Sequence, residues 1–137
     1  MRSGTRWLPE GLCFYVDHCL GRRYVPEALE RAGARTVVHA DRFPIDHPDH
    51  EWLRECGKNG WVVLTKDGRF LPGTLEHDVI REHSVRVFVL ADGNASGPEM
   101  AATFTRHLRR MASIARDRSG PFIARVTRRS VVLRRVR

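Results

Sequence analysis

Cysteine is scarce in this sequence, and the three present, Cys13, Cys19 and Cys56, share no repeated spacing. An odd, irregular set argues against a disulfide framework, and the want of a C-x-x-C pair argues against a thiolate zinc site. Cys13 falls in an apolar, β-rich run and Cys56 on a helical pattern, where small buried hydrophobes belong, so neither reads as a nucleophile. Long hydrophobic runs are missing as well: nothing approaches the roughly 18 uninterrupted apolar residues of a membrane span. The opening Met1-Arg2-Ser3-Gly4-Thr5-Arg6-Trp7 has no apolar segment after its arginines. It reads as a lead-in to the first strand and not as a secretory signal. Together these absences predict a cytoplasmic chain with no membrane partner. Internal repeats, low-complexity tracts and domain-sized linkers are absent too. The 137 residues, 42% of them hydrophobic, are expected to form one domain with a real core.

Negative charge nearly vanishes from the C-terminal quarter. From Arg106 onward the chain carries eleven arginines against a single acid, Asp117, within an overall net charge of +8. Lysine is almost unused, with Lys58 and Lys66 alone among 24 cationic residues. Arginine forks onto phosphate oxygens where lysine offers a point charge. The expected partner is therefore polyanionic, nucleic acid foremost, with Arg106, Arg109, Arg110, Arg128 and Arg129 as contacts. A solvated basic face, or a surface for an acidic protein, is the plainer alternative.

Periodicity orders the rest. Leu12 to Val16 reads as a strand, and Arg22 to Ala32 as a helix with Pro26 in its first turn and Gly33 as its stop. Arg35 to His39 is a second strand. A helix begins near Asp49, turns Trp52, Leu53 and Cys56 inward, and ends across Gly57 to Gly60. Trp61 to Thr65 is apolar enough to be a central strand. Thr74 caps a short helix running to about His83, and Arg86 to Leu90 is a fourth strand. One long helix is expected from Pro98 to about Asp117, with Met100, Phe104, Leu108, Met111 and Ala115 on its inner face and arginines outside. Phe122–Val126 and Val131–Val136 flank Thr127–Ser130 as a hairpin. This β-α alternation predicts an α/β fold with a mostly parallel central sheet and a C-terminal β-hairpin.

Two of the strands end in an aspartate. Asp17 follows the first strand and Asp67 the third, 50 residues later. Asp49 and Glu51 open the intervening helix, and Asp92 follows the fourth strand. Strand ends of a parallel sheet share one edge, so these acids can converge. Clustered carboxylates repel, and a hard divalent ion is the usual reason to gather them. That reading makes Asp17, Asp49, Glu51, Asp67 and Asp92 candidate ligands for Mg2+, with Thr65 supporting a ligand carboxylate by hydrogen bond. Each acid also has a bland role as a turn or cap former; Asp46 is left to turn chemistry. His39, His47 and His50 lie nearby but lack zinc-ligand spacing. Trp52 and Trp61 are assigned to the core and Lys66 to solvent.

Taken in order, Phe14-Tyr15-Val16-Asp17, the helix stopping at Gly33, the Asp49-His50-Glu51-Trp52-Leu53 helix start and Val62-Val63-Leu64-Thr65-Lys66-Asp67 resemble the PIN-like nucleases. The likeness is closest to the small bacterial VapC-type toxins and covers about Leu12 to Phe122. It implies a Rossmann-like three-layer α/β/α fold in a single PIN-like domain, 1–137. The core would span about 12–122, followed by an arginine-rich hairpin over 121–136 that holds RNA or a partner. By position it implies Asp17, Asp49 and Asp67 as catalytic acids holding Mg2+ or Mn2+, with Glu51 one step from Asp49. Asp92 stands where a fourth acid would be, although its Gly-Asn-Ala-Ser-Gly surroundings match no family motif. The implied activity is metal-dependent endoribonuclease cleavage, as the toxin of a type II toxin–antitoxin pair with a cognate antitoxin. The competing class is a non-catalytic module of the same fold binding RNA or protein; a small-molecule phosphatase is a weaker third. The assembly is left open, a homodimer being the commonest closed form.

Overall fold

The computed structural model describes residues 7–136; the lead-in expected before Trp7 lies outside them. Strand β1 (Cys13–Val16) passes through a 3₁₀ turn (His18–Leu20) into helix α1 (Tyr24–Arg31). Strand β2 (Arg35–Val38) leads by a second 3₁₀ turn and a loop to α2 (Asp49–Asn59). Strand β3 (Val62–Thr65) precedes α3 (Leu75–Glu82), and β4 (Arg86–Leu90) precedes α4 (Gly97–Arg106) and α5 (Leu108–Asp117). A hairpin, β5 (Phe122–Val126) and β6 (Val131–Arg135), completes the order. The strands make one six-stranded sheet, β2-β1-β3-β4-β5-β6, parallel throughout except for the antiparallel β5–β6 pair. The α/β fold read from the alternation is the fold observed.

Alternation along each strand splits the core into two layers, because successive side chains leave opposite faces of the sheet. Phe14, Val16, Val62, Leu64, Phe88 and Leu90 pack with Val25, Leu29, Phe104, Leu108 and Met111 from α1, α4 and α5. Tyr15, Val63, Val87 and Val89 face the other way, against Trp52, Leu53, Cys56, Val79 and Ile80 of α2 and α3. Both faces are covered, which is why the strands are short, apolar runs and not half-polar ones. Each large side chain buried this way contributes about 1.5–3 kcal/mol.

The helix starts obey local chemistry. Thr74 accepts the His77 N–H at 3.1 Å, and Ser96 with Glu99 forms a reciprocal capping box. The single long helix expected from Pro98 to Asp117 is instead two, α4 and α5, meeting at His107. Thr105 Oγ1 donates to the Ala101 carbonyl at 2.7 Å, a back-bond of the kind that bends helices. Arg106 and the His107 ring both lie 3.3 Å from the Arg128 carbonyl, drawing the junction toward the hairpin tip. The apolar stripe Met100, Phe104, Leu108, Met111 and Ala115 crosses the bend without interruption, buried throughout. The hairpin is no appendage: β5 pairs with β4 from Arg86↔Phe122 to Leu90↔Val126, and Phe122, Ala124 and Val126 are buried.

Gly57 lies inside α2 and is not part of its stop; Gly60, at φ 69°, ends the helix. A Cβ at Gly57 would stand 2.7 Å from both the Cβ and the carbonyl oxygen of His83, just past α3. The missing side chain is what lets α2 approach α3 closely. Alanine is favoured over glycine in a free helix by about 1 kcal/mol, but this overlap is against backbone that cannot swing aside. Gly57→Ala is expected to lose about 1–3 kcal/mol net, read as a lower urea midpoint with an unchanged slope.

Candidate active site

The sheet reverses its winding at β1: β2 lies to one side, β3 to the other. The crevice beyond the carboxyl ends of two such strands is where α/β sheets bind ligands. Asp17 ends β1 and is 3% exposed. Its oxygens are taken up by donors close in space. The His18 N–H donates to Oδ1 at 2.7 Å, and Thr65 Oγ1 donates to Oδ2 at 2.7 Å. The Cys19 thiol adds a longer contact to Oδ2 at 3.3 Å. Burial, with the Asp17 charge beside it, pushes that thiol up to about 11, so it stays an S–H donor. The backbone N–H of Asp67 in turn donates to Thr65 Oγ1 at 3.0 Å. One hydroxyl thus ties together the acids that follow β1 and β3.

Asp67 turns outward and is gripped by Arg69. Nε donates to Oδ1 and Nη2 to Oδ2, each at 2.9 Å, and the Arg69 N–H reaches Oδ1 at 2.9 Å. These bonds hold the Asp67 carboxyl below its ordinary range. Asp49, at the start of α2, accepts the indole N–H of Trp52 at 3.0 Å. Burial raises its pKa first, and the negative charges of Asp17, Asp67 and Glu76 raise it further. Acids from four elements therefore act on one region. Trp52 stacks on Tyr15 with centroids 5.1 Å apart, so the second core layer fixes the angle at which Asp49 is presented.

A family model described as a PIN like domain matches residues 13–92. The chain belongs to the PIN-like domain family. A protein of Mycobacterium tuberculosis (strain ATCC 25618 / H37Rv), named "Putative ribonuclease VapC45", is 26% identical over 113 residues, covering 80% of this chain and 81% of that protein. No solved structure matches the chain significantly.

Not every acid of this PIN-like domain joins the region. Glu51 faces His47 Nε2 at 3.4 Å, in a groove of about 410 Å³ lined also by Arg42, Phe43, Arg54 and Lys58. Asp92 is exposed, accepts the Asn94 N–H at 3.1 Å in its own turn, and opens onto a groove with Glu99, Arg106 and Arg128. On the edge it stands one strand further from Asp17 than Asp67 does. Glu76, in the first turn of α3, was missed from the sequence, where Thr74 drew notice only as a cap. The available signal was an acid two residues past that cap, directly after the strand bearing Asp67.

His39 and His47 have other work. His39 is buried between Tyr15, whose hydroxyl hydrogen-bonds Nδ1, and the Pro44 carbonyl, 3.2 Å from Nε2. A carbonyl requires Nε2 to carry the proton, which leaves Nδ1 to accept from Tyr15. His47 stacks on Phe43 with centroids 4.7 Å apart. Because β5 runs parallel to β4, the turn holding Arg128 and Arg129 arrives at the acids' edge of the sheet, about 14 Å from β1 by strand spacing. Arg106 joins them there, whereas Arg109 lies over the Trp7 ring and Arg110 lines a groove with Ser113, Arg118 and Leu133. No described helix is long and apolar enough to cross a membrane.

The donors suit a hard cation in chemistry: carboxylates, with Asp49 destabilised by like charge. Among the described residues no three His, Cys, Asp or Glu side chains close around a single point. The fit is to a hydrated ion, which needs only one or two direct carboxylates. Asp49 and Asp67, partly exposed, are the side chains that could supply them, with Asp17 behind.

Two outcomes follow from this geometry. A carboxyl whose pKa is raised on folding contributes stability below its unfolded value, 3.8, that is lost as pH rises through the folded value. Asp49→Asn keeps the acceptor for Trp52 and removes that loss. Its melting temperature in EDTA should exceed wild type at pH 7, the advantage fading toward pH 3.8. Thr65→Val leaves a buried carboxylate short of a donor, for a loss of about 1–3 kcal/mol by urea unfolding at pH 7, which Thr65→Ser should largely restore.

Proposed function

We propose that this chain is a metal-dependent endoribonuclease that hydrolyses RNA phosphodiesters in the cytoplasm, as the toxin of a toxin–antitoxin pair. The observation that supports the reading is the link of Asp17 to Asp67 through the Thr65 hydroxyl at the switch-point crevice, with Asp49 near enough to feel both charges. The relative from Mycobacterium tuberculosis supports it, because its name gives a ribonuclease of the VapC group and the match spans most of both chains. RNA is the substrate and a cognate antitoxin the second partner. A bound Mg2+ or Mn2+ supplies Lewis acidity for water and for the phosphoryl oxygens. Asp49 and Asp67, the partly exposed pair, are the carboxylates assigned to hold it, with Asp17 behind them. Thr65 keeps Asp17 aimed, and Arg106, Arg128 and Arg129 hold phosphates on the flanking strand. Glu51 and Asp92, facing other grooves, are left outside this first set.

The second reading, a non-catalytic module, is favoured by one observation: both oxygens of Asp67 are already engaged by Arg69. Structured RNA incubated with Mg2+ or Mn2+ decides between them. Cuts by wild type that need metal, and that fall on the order of a hundredfold in Asp17→Asn and Asp67→Asn, establish the nuclease. Salt-dependent RNA binding without cuts under any metal leaves the module.

A further inference from the structure

Like-charged carboxylates do not gather without a cation, and this domain carries one of its own. Arg69 sits two residues beyond Asp67, across Gly68, and makes three hydrogen bonds to its carboxylate at 2.9 Å. Its guanidinium also feels the charges of Asp49 and Glu76, the same acids that surround the candidate site. The arginine side chain is otherwise 86% exposed, while the Asp67 side chain beneath it is 14% exposed. The hydrogen bonds that hold it go to Asp67, and it covers a carboxylate that is itself partly exposed.

We propose that Arg69 is the resident counter-ion of the acid cluster, and that a divalent cation binds at Asp67 by displacing it. The inference rests on the reading of these acids as an ion site. A guanidinium and a divalent ion on the same two oxygens repel, so occupancy by one weakens the other. The arginine side of the pair stands in solvent, where its hold on the carboxylate is screened and an incoming ion can compete for the same oxygens. Arg69 therefore sets the ion concentration at which the cluster loads, and it keeps the cluster folded and neutralised at lower concentrations. The backbone N–H of Arg69 can stay on Oδ1 while the side chain leaves, so the turn survives the exchange.

Mn2+ binding by wild type, Arg69→Ala, Arg69→Lys and Asp67→Asn, followed by electron paramagnetic resonance of the free ion at fixed ionic strength, tests this directly. Arg69→Ala is expected to bind about fivefold more tightly than wild type, Arg69→Lys between the two, and Asp67→Asn more weakly. In EDTA, Arg69→Ala should melt below wild type, and saturating Mn2+ should close that gap. Equal or weaker Mn2+ binding by Arg69→Ala, with Asp67→Asn still impaired, overturns the counter-ion role and leaves the ion site standing. Binding indifferent to both substitutions, or no binding at all, overturns the ion site and the inference with it.

Discussion

A carboxylate buried between strand ends is tolerated only when its oxygens are hydrogen-bonded, and the whole sheet edge is organised around that requirement at Asp17. The solution uses one side chain of the neighbouring strand. Thr65 is fully buried, donates to Asp17 and accepts from the backbone of Asp67. The Asp17 N–H itself pairs with the Leu64 carbonyl at 3.0 Å, so the β1–β3 ladder runs straight into the site. Strand register, acid placement and backbone direction after β3 are thus one coupled arrangement. A slip of one residue in β3 would move Thr65 to the other face and leave Asp17 short of a donor.

The second constraint comes from the core beneath. Tyr15 is the inward neighbour of Val16 on the α2–α3 side, and it stacks between Trp52 and Trp61 while its hydroxyl engages His39. Burial keeps that hydroxyl protonated. Trp52 then spends its only side-chain N–H on Asp49. Packing in an apolar layer consequently decides where a polar group stands at the surface. That coupling explains why a charge destabilised by its neighbours does not swing away into water: its partner is a tryptophan wedged in the core.

Much of this was legible in the sequence because local signals and global fold agree. The runs ending in Asp17 and Asp67 and the Thr74 cap all carry a chemical reason visible in one dimension. The α4–α5 break was not visible, because the stripe from Met100 to Ala115 keeps its helical spacing across it. The cause is a back-bond and a tether to Arg128 that only the folded chain brings near. Glu76 was hidden for a similar reason, since its relevance depends on α3 returning beside α2. The engagement of Asp67 by Arg69 was overlooked although the residues are two apart, because the same spacing is also that of an ordinary exposed turn.

The arginines show why charge counted along a chain overstates a binding surface. Arg86 is half-buried and spends its guanidinium on the Ala115 and Gly60 carbonyls, at 2.7 and 2.9 Å, closing the ends of α5 and α2. Arg116 pairs with Asp117, and Arg69 with Asp67. These are structural cations in a sequence whose basic residues outnumber its acids. What turns the remainder toward a polyanion is topology. The parallel pairing of β5 with β4 carries the tip of the hairpin to the edge where the acids are, and α4 bends to meet it there. Had β5 run antiparallel to β4, the same arginines would lie at the far end of the sheet and serve only solubility. Their relation to the acid cluster therefore rests on strand direction, a property of the fold, and not on their number.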